Sequence, residues 1–215
     1  MSESHPTNFV VAIASVSGGG KTTLVKKTAE LLNGTTLFFD DYQSVSQYPE
    51  DSQKWLEDGA DVNEWKTPQF SRDVAALRKG QSITMPGNGD TVEPSEFIVI
   101  EEPMGRARVE MAAHIDFVAV IDTPLEVALS RRVIRDMGYF DIKDIDTATR
   151  EQLVEGFEKL IGYVRNFLGH YLRTGRELYT TVQEQAKASC DLVLDGQLPV
   201  DELARQLVAA VKKRK

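Results

Sequence analysis

Three consecutive glycines followed by a lysine constrain this chain more than any other feature. Residues 15–23 (SVSGGGKTT) follow an apolar run, Phe9–Ala14, that is suited to a buried strand, and they lead into an amphipathic stretch over Lys21–Leu32. Glycines let the backbone curl so that successive amides point inward, and the N-terminus of the following helix adds a partial positive charge. The strand, the loop and the helix together predict a phosphate-binding turn.

The same residues match the nucleotide-binding pattern GxxxxGK[ST] except at its first position, where Ser15 replaces glycine. Lys21 is expected to reach the β- and γ-phosphates of ATP, and the hydroxyl of Thr22 to bind Mg²⁺. The predicted nucleotide-binding residues are Ser17, Gly18, Gly19, Gly20, Lys21, Thr22 and Thr23. ATP and Mg²⁺ are therefore the expected cofactors.

Apolar runs alternate with amphipathic stretches along the rest of the chain, which is typical of an α/β protein with a parallel sheet. Further strands are predicted at residues 35–39, 97–100, 116–121 and 192–194, and a hairpin at 82–93. Helices are predicted at 67–80, 123–137, 149–172 and 200–211. Thr123 as N-cap, Pro124 and Glu126 predict a capping box at the start of the second of these helices.

Composition and charge exclude several classes of protein. A formal charge of -8 argues against a protein that coats a nucleic-acid backbone, so no nucleic-acid partner is expected. No apolar run approaches the roughly 20 residues of a membrane span, and the first residues lack the basic start of a signal peptide. The single cysteine, Cys190, suits a reducing compartment. We expect a cytoplasmic protein with no membrane partner.

Acidic residues end two of the predicted strands. Asp40 and Asp41 follow the second strand, at the edge of the sheet where open α/β folds bind ligands, and either carboxylate could take a proton from a hydroxyl. Asp40 is favoured as the base, although both could simply solvate a turn. Glu101 ends the strand FIVI and could bind Mg²⁺ directly or through water.

A cluster of arginines and two aromatic residues complete the set of candidates. Arg131, Arg132 and Arg135 share one predicted helix and could stabilise the charge of a transferring phosphoryl group, or serve only as solvated surface residues. Tyr42 and Trp65 lie in or beside a long polar segment, where their rings could stack on a flat substrate or pack in the core. Asp41 is a third candidate for substrate contact.

The segments SGGGKTT, FFDDY, FIVIEEP and RRVIRD occur in an order and spacing that resemble the uridine kinase and phosphoribulokinase branch of P-loop kinases. The resemblance implies a three-layer P-loop kinase fold, with about five parallel strands between helices and a small hairpin and lid. It implies transfer of the ATP γ-phosphate to a hydroxyl of a small molecule, and often dimers or tetramers. It also matches Asp40 to the catalytic base and Glu101 to the acid of the EG pair.

The resemblance further implies one domain over residues 1–215, with an acceptor-site insertion at about 42–95 and a lid at about 131–150. The chain departs from uridine kinases after Met85, where Pro86 and Gly87 stand in place of a PxYDF segment. A uridine or cytidine kinase proper is therefore one alternative. The other is an ATPase or nucleotide switch without a small-molecule acceptor.

Overall fold

The computed structural model describes residues 7–138 and 148–215, and a parallel five-stranded sheet forms its centre. The strands, in chain order, are β1 Phe9–Ala14, β2 Thr35–Leu37, β3 Ile83–Thr84, β4 Thr91–Val92, β5 Phe97–Glu101, β6 Phe117–Asp122 and β7 Leu192–Asp195. The sheet has the order β2-β5-β1-β6-β7, and β3 pairs with β4 in a separate antiparallel hairpin. The predicted α/β class and the five-stranded parallel sheet are confirmed.

Helices cover both faces of the sheet. On one face, α1 (Lys21–Leu32) and α8 (Val200–Arg214) pack around Val11. On the other face, α3 (Pro68–Arg78) packs in the cluster that contains Ala12. Because both faces are covered, β1 is apolar at every position instead of alternating with polar residues. The carboxyl end of this central strand delivers the glycine-rich loop.

The predicted acceptor-site insertion consists of short ordered elements. After a 3₁₀ helix at Phe39–Val45 come α2 (Ser52–Glu57) and a second 3₁₀ turn at Val62–Glu64, followed by α3 and the hairpin. Two backbone hydrogen bonds of 2.9 Å between Gln47 and Lys66 close this segment on itself. The hairpin is as predicted, whereas the polar stretch before α3 is not an open loop.

The second strand is shorter than its sequence indicates. Residues 35–39 were expected to be extended, but β2 ends at Leu37 and the 3₁₀ helix begins at Phe39. Asp40 and Asp41 occupy the first turn of that helix. Acidic side chains are favourable there because the exposed amides of a helix N-terminus carry partial positive charge.

The capping box predicted at Thr123 is wrong. Helix α5 spans Leu125–Met137 with Pro124 as its cap residue and no side-chain cap. The hydroxyl of Thr123 instead donates to the backbone oxygen of Gly19 at 2.9 Å. Thr123 bonds to Gly19, more than a hundred positions away, and does not cap the helix, because the buried carbonyl of Gly19 needs a donor.

The described part of the C-terminal half contains two helices that the sequence did not predict. Helix α4 (Val109–Ala112) is a single turn before β6, and α6 (Arg150–His170) covers most of the helix expected at 149–172. The chain then continues through a π-helical turn at Tyr171–Gly175 into α7 (Arg176–Ala188). Helix α7 returns to the sheet, where its Ala186 joins the core.

The predicted lid at about 131–150 is only partly described. Residues 131–138 belong to the end of α5 and residues 148–150 to the start of α6, whereas 139–147 lie outside the described residues. Residues 1–6, on which part of the expectation about a leader rests, lie outside them as well. In the described part of the chain, none of the helices combines the length and apolar character needed to cross a membrane.

Candidate active site

The glycine-rich loop has the backbone that its sequence predicts. Gly18 and Gly20 have φ values of 82° and 100°, in the left-handed region that glycine adopts without strain. The ammonium of Lys21 donates to the backbone oxygen of Val16 at 3.2 Å, across the loop. The loop therefore curls around the start of α1, and this geometry suits an anion held by backbone amides.

Ser15, the departure from the usual motif, is accommodated by two neighbouring residues. Its hydroxyl donates to the backbone oxygen of Ile121 at 2.8 Å, inside the protein. A Cβ atom on Gly19 would lie 2.0 Å from the Ser15 oxygen, so only glycine fits beside this serine. The serine thus ties the loop to the end of β6 and makes Gly19 a packing requirement.

Glu101 joins Lys21 and Thr22 at the carboxyl end of β5. The Thr22 hydroxyl donates to Glu101 Oε2 at 2.9 Å, and the Lys21 ammonium lies 3.6 Å from Oε1. Burial lowers the pKa of Lys21 below its ordinary value, while the charges of Glu101 and Asp40 oppose that shift. A lysine at such a site gains most from an added anion such as a phosphate.

The oxygens of Thr22 and Glu101 fit a magnesium ion that arrives with a nucleotide. In residues 7–138 and 148–215, no group of three or more His, Cys, Asp or Glu side chains could hold a metal ion. Mg²⁺ in nucleotide sites takes only one or two protein ligands and completes its shell with phosphate and water oxygens. The two adjacent oxygens match that requirement, and a dedicated protein cage is not needed.

The two aspartates of the second strand end have different surroundings. Asp40 is exposed, accepts a hydrogen bond of 3.1 Å from Gln43 and lines both cavities described below. Asp41 is also exposed but lines neither of them. The geometry therefore favours Asp40 over Asp41 as the residue that meets a substrate.

Tyr42 and Trp65, both candidates for substrate contact, are placed differently. Tyr42 is fully buried, donates to Asp73 Oδ2 at 2.9 Å and packs with its ring centroid 4.9 Å from that of Phe70. Burial raises its pKa. Its side chain therefore leaves no exposed surface in this structure. Trp65 is half-buried and lines a cavity.

Asp136 organises two of the three arginines. Arg135 Nε donates to its Oδ1 at 3.0 Å, Arg132 Nε lies 3.4 Å from its Oδ2, and the Tyr163 hydroxyl also donates to it. Burial raises the pKa of Asp136, but the Tyr163 hydrogen bond and the arginines outweigh it, and the net pKa is lowered. Arg132 also stacks over Phe167, 4.8 Å from the ring centroid.

Arg131 points elsewhere on the same helix. Both of its terminal nitrogens lie 3.4 Å from the backbone oxygen of Gly196, in the turn between β7 and α8. It lines the cavity beside the glycine-rich loop, whereas Arg132 lines the other cavity and Arg135 lines both. The predicted arginine cluster is therefore divided between two sides of the site.

Two adjoining cavities meet at the carboxyl edge of the sheet. The first, the phosphate cavity, has a volume of about 380 Å³ and is lined by the predicted nucleotide-binding residues other than Gly19. The second, the aromatic cavity, has a volume of about 590 Å³ and includes four rings. Those rings belong to Phe39, Tyr48, Trp65 and Tyr179. Both cavities are lined by Ser17, Lys21, Asp40, Glu101 and Arg135.

Sequence analysis missed several residues of the aromatic cavity. Leu178, Tyr179 and Val182 come from α7, which was not predicted, and Met104 comes from the turn after β5. The Tyr179 hydroxyl receives a hydrogen bond from Arg132. No motif marks these positions, because a helix that packs over a site is specified by its apolar face alone.

Comparison with known proteins gives a consistent result. No family model matches the chain. The uridine kinase of Borrelia duttonii (strain Ly) is 27% identical over 197 residues, which cover 86% of this chain and 85% of that protein. The uridine kinase of Borreliella burgdorferi (strain ZS7) is 26% identical with the same coverage. A possible uridine kinase from Bacillus stearothermophilus has a similar structure, with a TM-score of 0.52 at 19% identity over 90% of this chain and 92% of that one.

A glycine-rich loop that enters α1 from the central strand of a parallel sheet, with a carboxylate on the neighbouring strand, defines the P-loop kinase class. The structural similarity agrees with this fold. Within the class, the similarity to curated uridine kinases supports a uridine kinase-like phosphotransferase.

Proposed function

We propose that this protein transfers the γ-phosphate of ATP, bound with Mg²⁺, to a hydroxyl group of a small molecule. The observation that supports this most is the overlap of the two cavities. Lys21, Asp40 and Glu101 line both the phosphate cavity and the aromatic cavity. A nucleotide in the first and an acceptor in the second would meet at these three residues, as a direct phosphoryl transfer requires.

Each residue at the junction has a proposed role. Lys21 binds phosphate oxygens, and Thr22 with Glu101 provides the oxygens for Mg²⁺, which offsets the charge of the phosphates. Asp40 accepts the proton of the acceptor hydroxyl while that oxygen bonds to the γ-phosphorus, and ADP leaves as the bond to its β-phosphate oxygen breaks. Arg135, held by Asp136 and lining both cavities, stabilises the moving charge.

The lining of the aromatic cavity favours an acceptor with an uncharged body. Apart from Arg132, every charged residue that lines it also lines the phosphate cavity and so belongs to the transfer site. The indole N–H of Trp65, a residue that lines this cavity, is buried and has no hydrogen-bond partner among the described residues. A neutral alcohol with a flat or apolar body fits better than a sugar phosphate.

Uridine and cytidine are the first acceptors to test, because the relatives are named uridine kinases. A uridine or cytidine kinase is still the alternative and not the main proposal. The sequence departs from uridine kinases at the hairpin of β3 and β4, and this hairpin lines neither cavity. We place the reaction in the cytoplasm. The proposal leaves open whether the protein assembles as a dimer or tetramer.

The test measures ADP release from Mg-ATP with uridine, cytidine, neutral alcohols and sugar phosphates as separate acceptors. We expect one acceptor to stimulate release, and Asp40→Asn to reduce that stimulated rate on the order of 10²- to 10⁴-fold. Asp41→Asn is the matched control, since Asp41 is the exposed neighbour that lines neither cavity. It should retain most of the activity.

A nucleotide switch or ATPase is the competing function. It would give ADP release that is independent of every acceptor and unaffected by Asp40→Asn. That result would contradict the proposed kinase activity, even if Lys21→Ala still abolished turnover.

A further inference from the structure

A fully buried ion pair lies directly beneath the proposed transfer site. Arg108 and Glu102 are both 0% exposed. Arg108 Nε donates to Glu102 Oε1 at 3.2 Å, and a terminal nitrogen of the same guanidinium donates to Oε2. The carboxylate also accepts a hydrogen bond of 3.2 Å from the backbone of Met104. The guanidinium thus holds the carboxylate in a two-pronged geometry that lysine cannot reproduce.

The rest of the Arg108 guanidinium contacts the insertion. Its other terminal nitrogen donates at 2.8 Å to the backbone oxygen of Trp65 and to the Thr67 hydroxyl. The centre of the guanidinium lies 5.5 Å from the centroid of the Phe39 ring. Glu110 supports the arrangement, accepting hydrogen bonds from Arg108 and from the backbone of Thr67. One side chain therefore joins three separate segments.

Three of the contacts of Arg108 lie in the proposed site or next to it. Glu102 directly follows Glu101, which bonds to Thr22. Phe39 directly precedes Asp40, and Phe39 and Trp65 both line the aromatic cavity. The guanidinium therefore contacts two residues of the aromatic cavity, Phe39 and Trp65, which we call the aromatic wall, and Glu102, which follows Glu101.

Stability alone does not explain such a pair. Removing two charges from water costs nearly as much free energy as their attraction returns, so apolar residues of similar volume would serve as well. What the pair adds is a fixed side-chain geometry among Glu102, Trp65 and Phe39, beyond the backbone pairing of β2 with β5 and of Gln47 with Lys66. We propose that Arg108 is a positioning residue that holds the aromatic wall in register with the transfer site, and so governs the binding of the acceptor. This proposal rests on the proposed kinase function.

The chain contains two tryptophans, Trp55 and Trp65. The experiment uses the full chain with both replaced by 5-fluorotryptophan. Their ¹⁹F resonances are assigned with Trp55→Phe. Arg108→Lys is compared with Arg106→Lys, a neighbouring arginine that pairs with Asp191 and whose hydrogen-bond partners in the described chain lie outside the insertion. The other readouts are Mg-ATP affinity and the KM and kcat for the acceptor that the panel identifies.

We expect Arg108→Lys to shift the Trp65 resonance and to raise the acceptor KM at least about tenfold, because small misplacements in a binding site are costly. Mg-ATP affinity should change less than about twofold, because Arg108 does not line the phosphate cavity. Arg106→Lys should leave the resonance and the acceptor KM unchanged. The proposal is overturned if Arg108→Lys leaves the Trp65 resonance in place, or weakens Mg-ATP as much as it weakens the acceptor.

The proposal can still be tested if Arg108→Lys does not fold or if no acceptor is found. If Arg108→Lys does not fold, Glu102→Gln tests the same link from the other side, and an unchanged Trp65 resonance in that variant overturns the proposal. If no acceptor supports turnover in the unaltered protein, the proposed kinase function fails. The resonance and the Mg-ATP affinity then still decide whether Arg108 positions the wall independently of the nucleotide site.

Discussion

The two cavities at the edge of the sheet are built in opposite ways. The phosphate cavity is lined mainly by consecutive residues of one loop and helix, and its central feature is a backbone shape. The aromatic cavity collects Phe39, Trp65, Met104 and Tyr179 from four distant parts of the chain. A buried ion pair, Arg108 with Glu102, fastens three of these parts together.

Substitutions in the two cavities should therefore have different effects on activity and on stability. A side chain of the phosphate cavity can be removed without loosening the fold, because the loop is held by its backbone and by Ser15 and Thr123. On the aromatic side, the residues that hold the cavity together are themselves core residues, and their removal should cost stability. Loss of activity and loss of stability should thus be separable by substitutions on the two sides.

Lys21→Ala should abolish turnover without destabilising the protein. We expect a loss on the order of 10³-fold or more, equal to about 4 kcal/mol, because the cation that offsets phosphate charge is gone. The melting temperature should change little, because burial lowers the pKa of Lys21, so its charge is held at a cost, and the Thr22 hydroxyl still donates to Glu101. Acceptor-stimulated ADP release and thermal unfolding measure both effects. Lys26→Ala, on the exposed side of α1, is the control. A marked loss of stability in Lys21→Ala alone would contradict the expectation that this cavity can lose a side chain without loss of stability.

Glu102→Ala should show the reverse behaviour and lower the free energy of unfolding by about 3 kcal/mol. It leaves Arg108 charged inside the protein with the partly exposed Glu110 as its remaining acidic partner, and poorly compensated buried charges are strongly destabilising. Urea unfolding measures the change. Glu96→Ala provides the comparison, because Glu96 pairs with Lys215 at the surface and its loss should cost less than about 1 kcal/mol. Equal effects of the two substitutions would show that the buried pair has no special role.

Gly19→Ala should distort the phosphate loop and cost about 1–3 kcal/mol, because its Cβ would meet the Ser15 oxygen. Ser15→Gly in the same chain removes that oxygen and should recover part of the loss. Recovery is incomplete because the backbone oxygen of Val16 would still lie 2.9 Å from the new Cβ. Mg-ATP affinity and urea unfolding of the single and double variants check this. An identical defect with and without Ser15 would mean that serine does not impose glycine at position 19.

Asp136→Asn should have the smallest effect on stability, and that effect should depend on pH. The pKa of Asp136 is lowered in the folded protein, so its contribution is complete above the unfolded pKa of about 3.9 and is lost as the pH falls through the folded value. We expect the stability difference between the original protein and Asp136→Asn to be constant at neutral pH and to shrink below about pH 4. Urea midpoints over that range measure it. A difference that persists undiminished in acid would contradict the assignment.

The site was predictable where local chemistry specifies it. The loop, Lys21, Thr22 and Glu101 were identified because phosphate binding requires those residue types at fixed spacing beside a strand and a helix, and the structure brings them together. Their individual roles stay predictions. The burial of Tyr42, a candidate for substrate contact, could not be predicted because exposure depends on neighbours that the sequence does not reveal, here Phe70 and Asp73.

By itself, the sequence determined the alternation of buried strands with helices, the place of the phosphate loop and the hairpin, because each depends on periodicity or on turn residues a few positions apart. The tertiary structure alone decided that Thr123 bonds to Gly19 instead of capping α5, that α7 borders the aromatic cavity, and that Arg108 meets Glu102, Trp65 and Phe39. Each of these depends on which buried polar group or apolar face another segment leaves without a partner. That balance exists only once the segments have packed together.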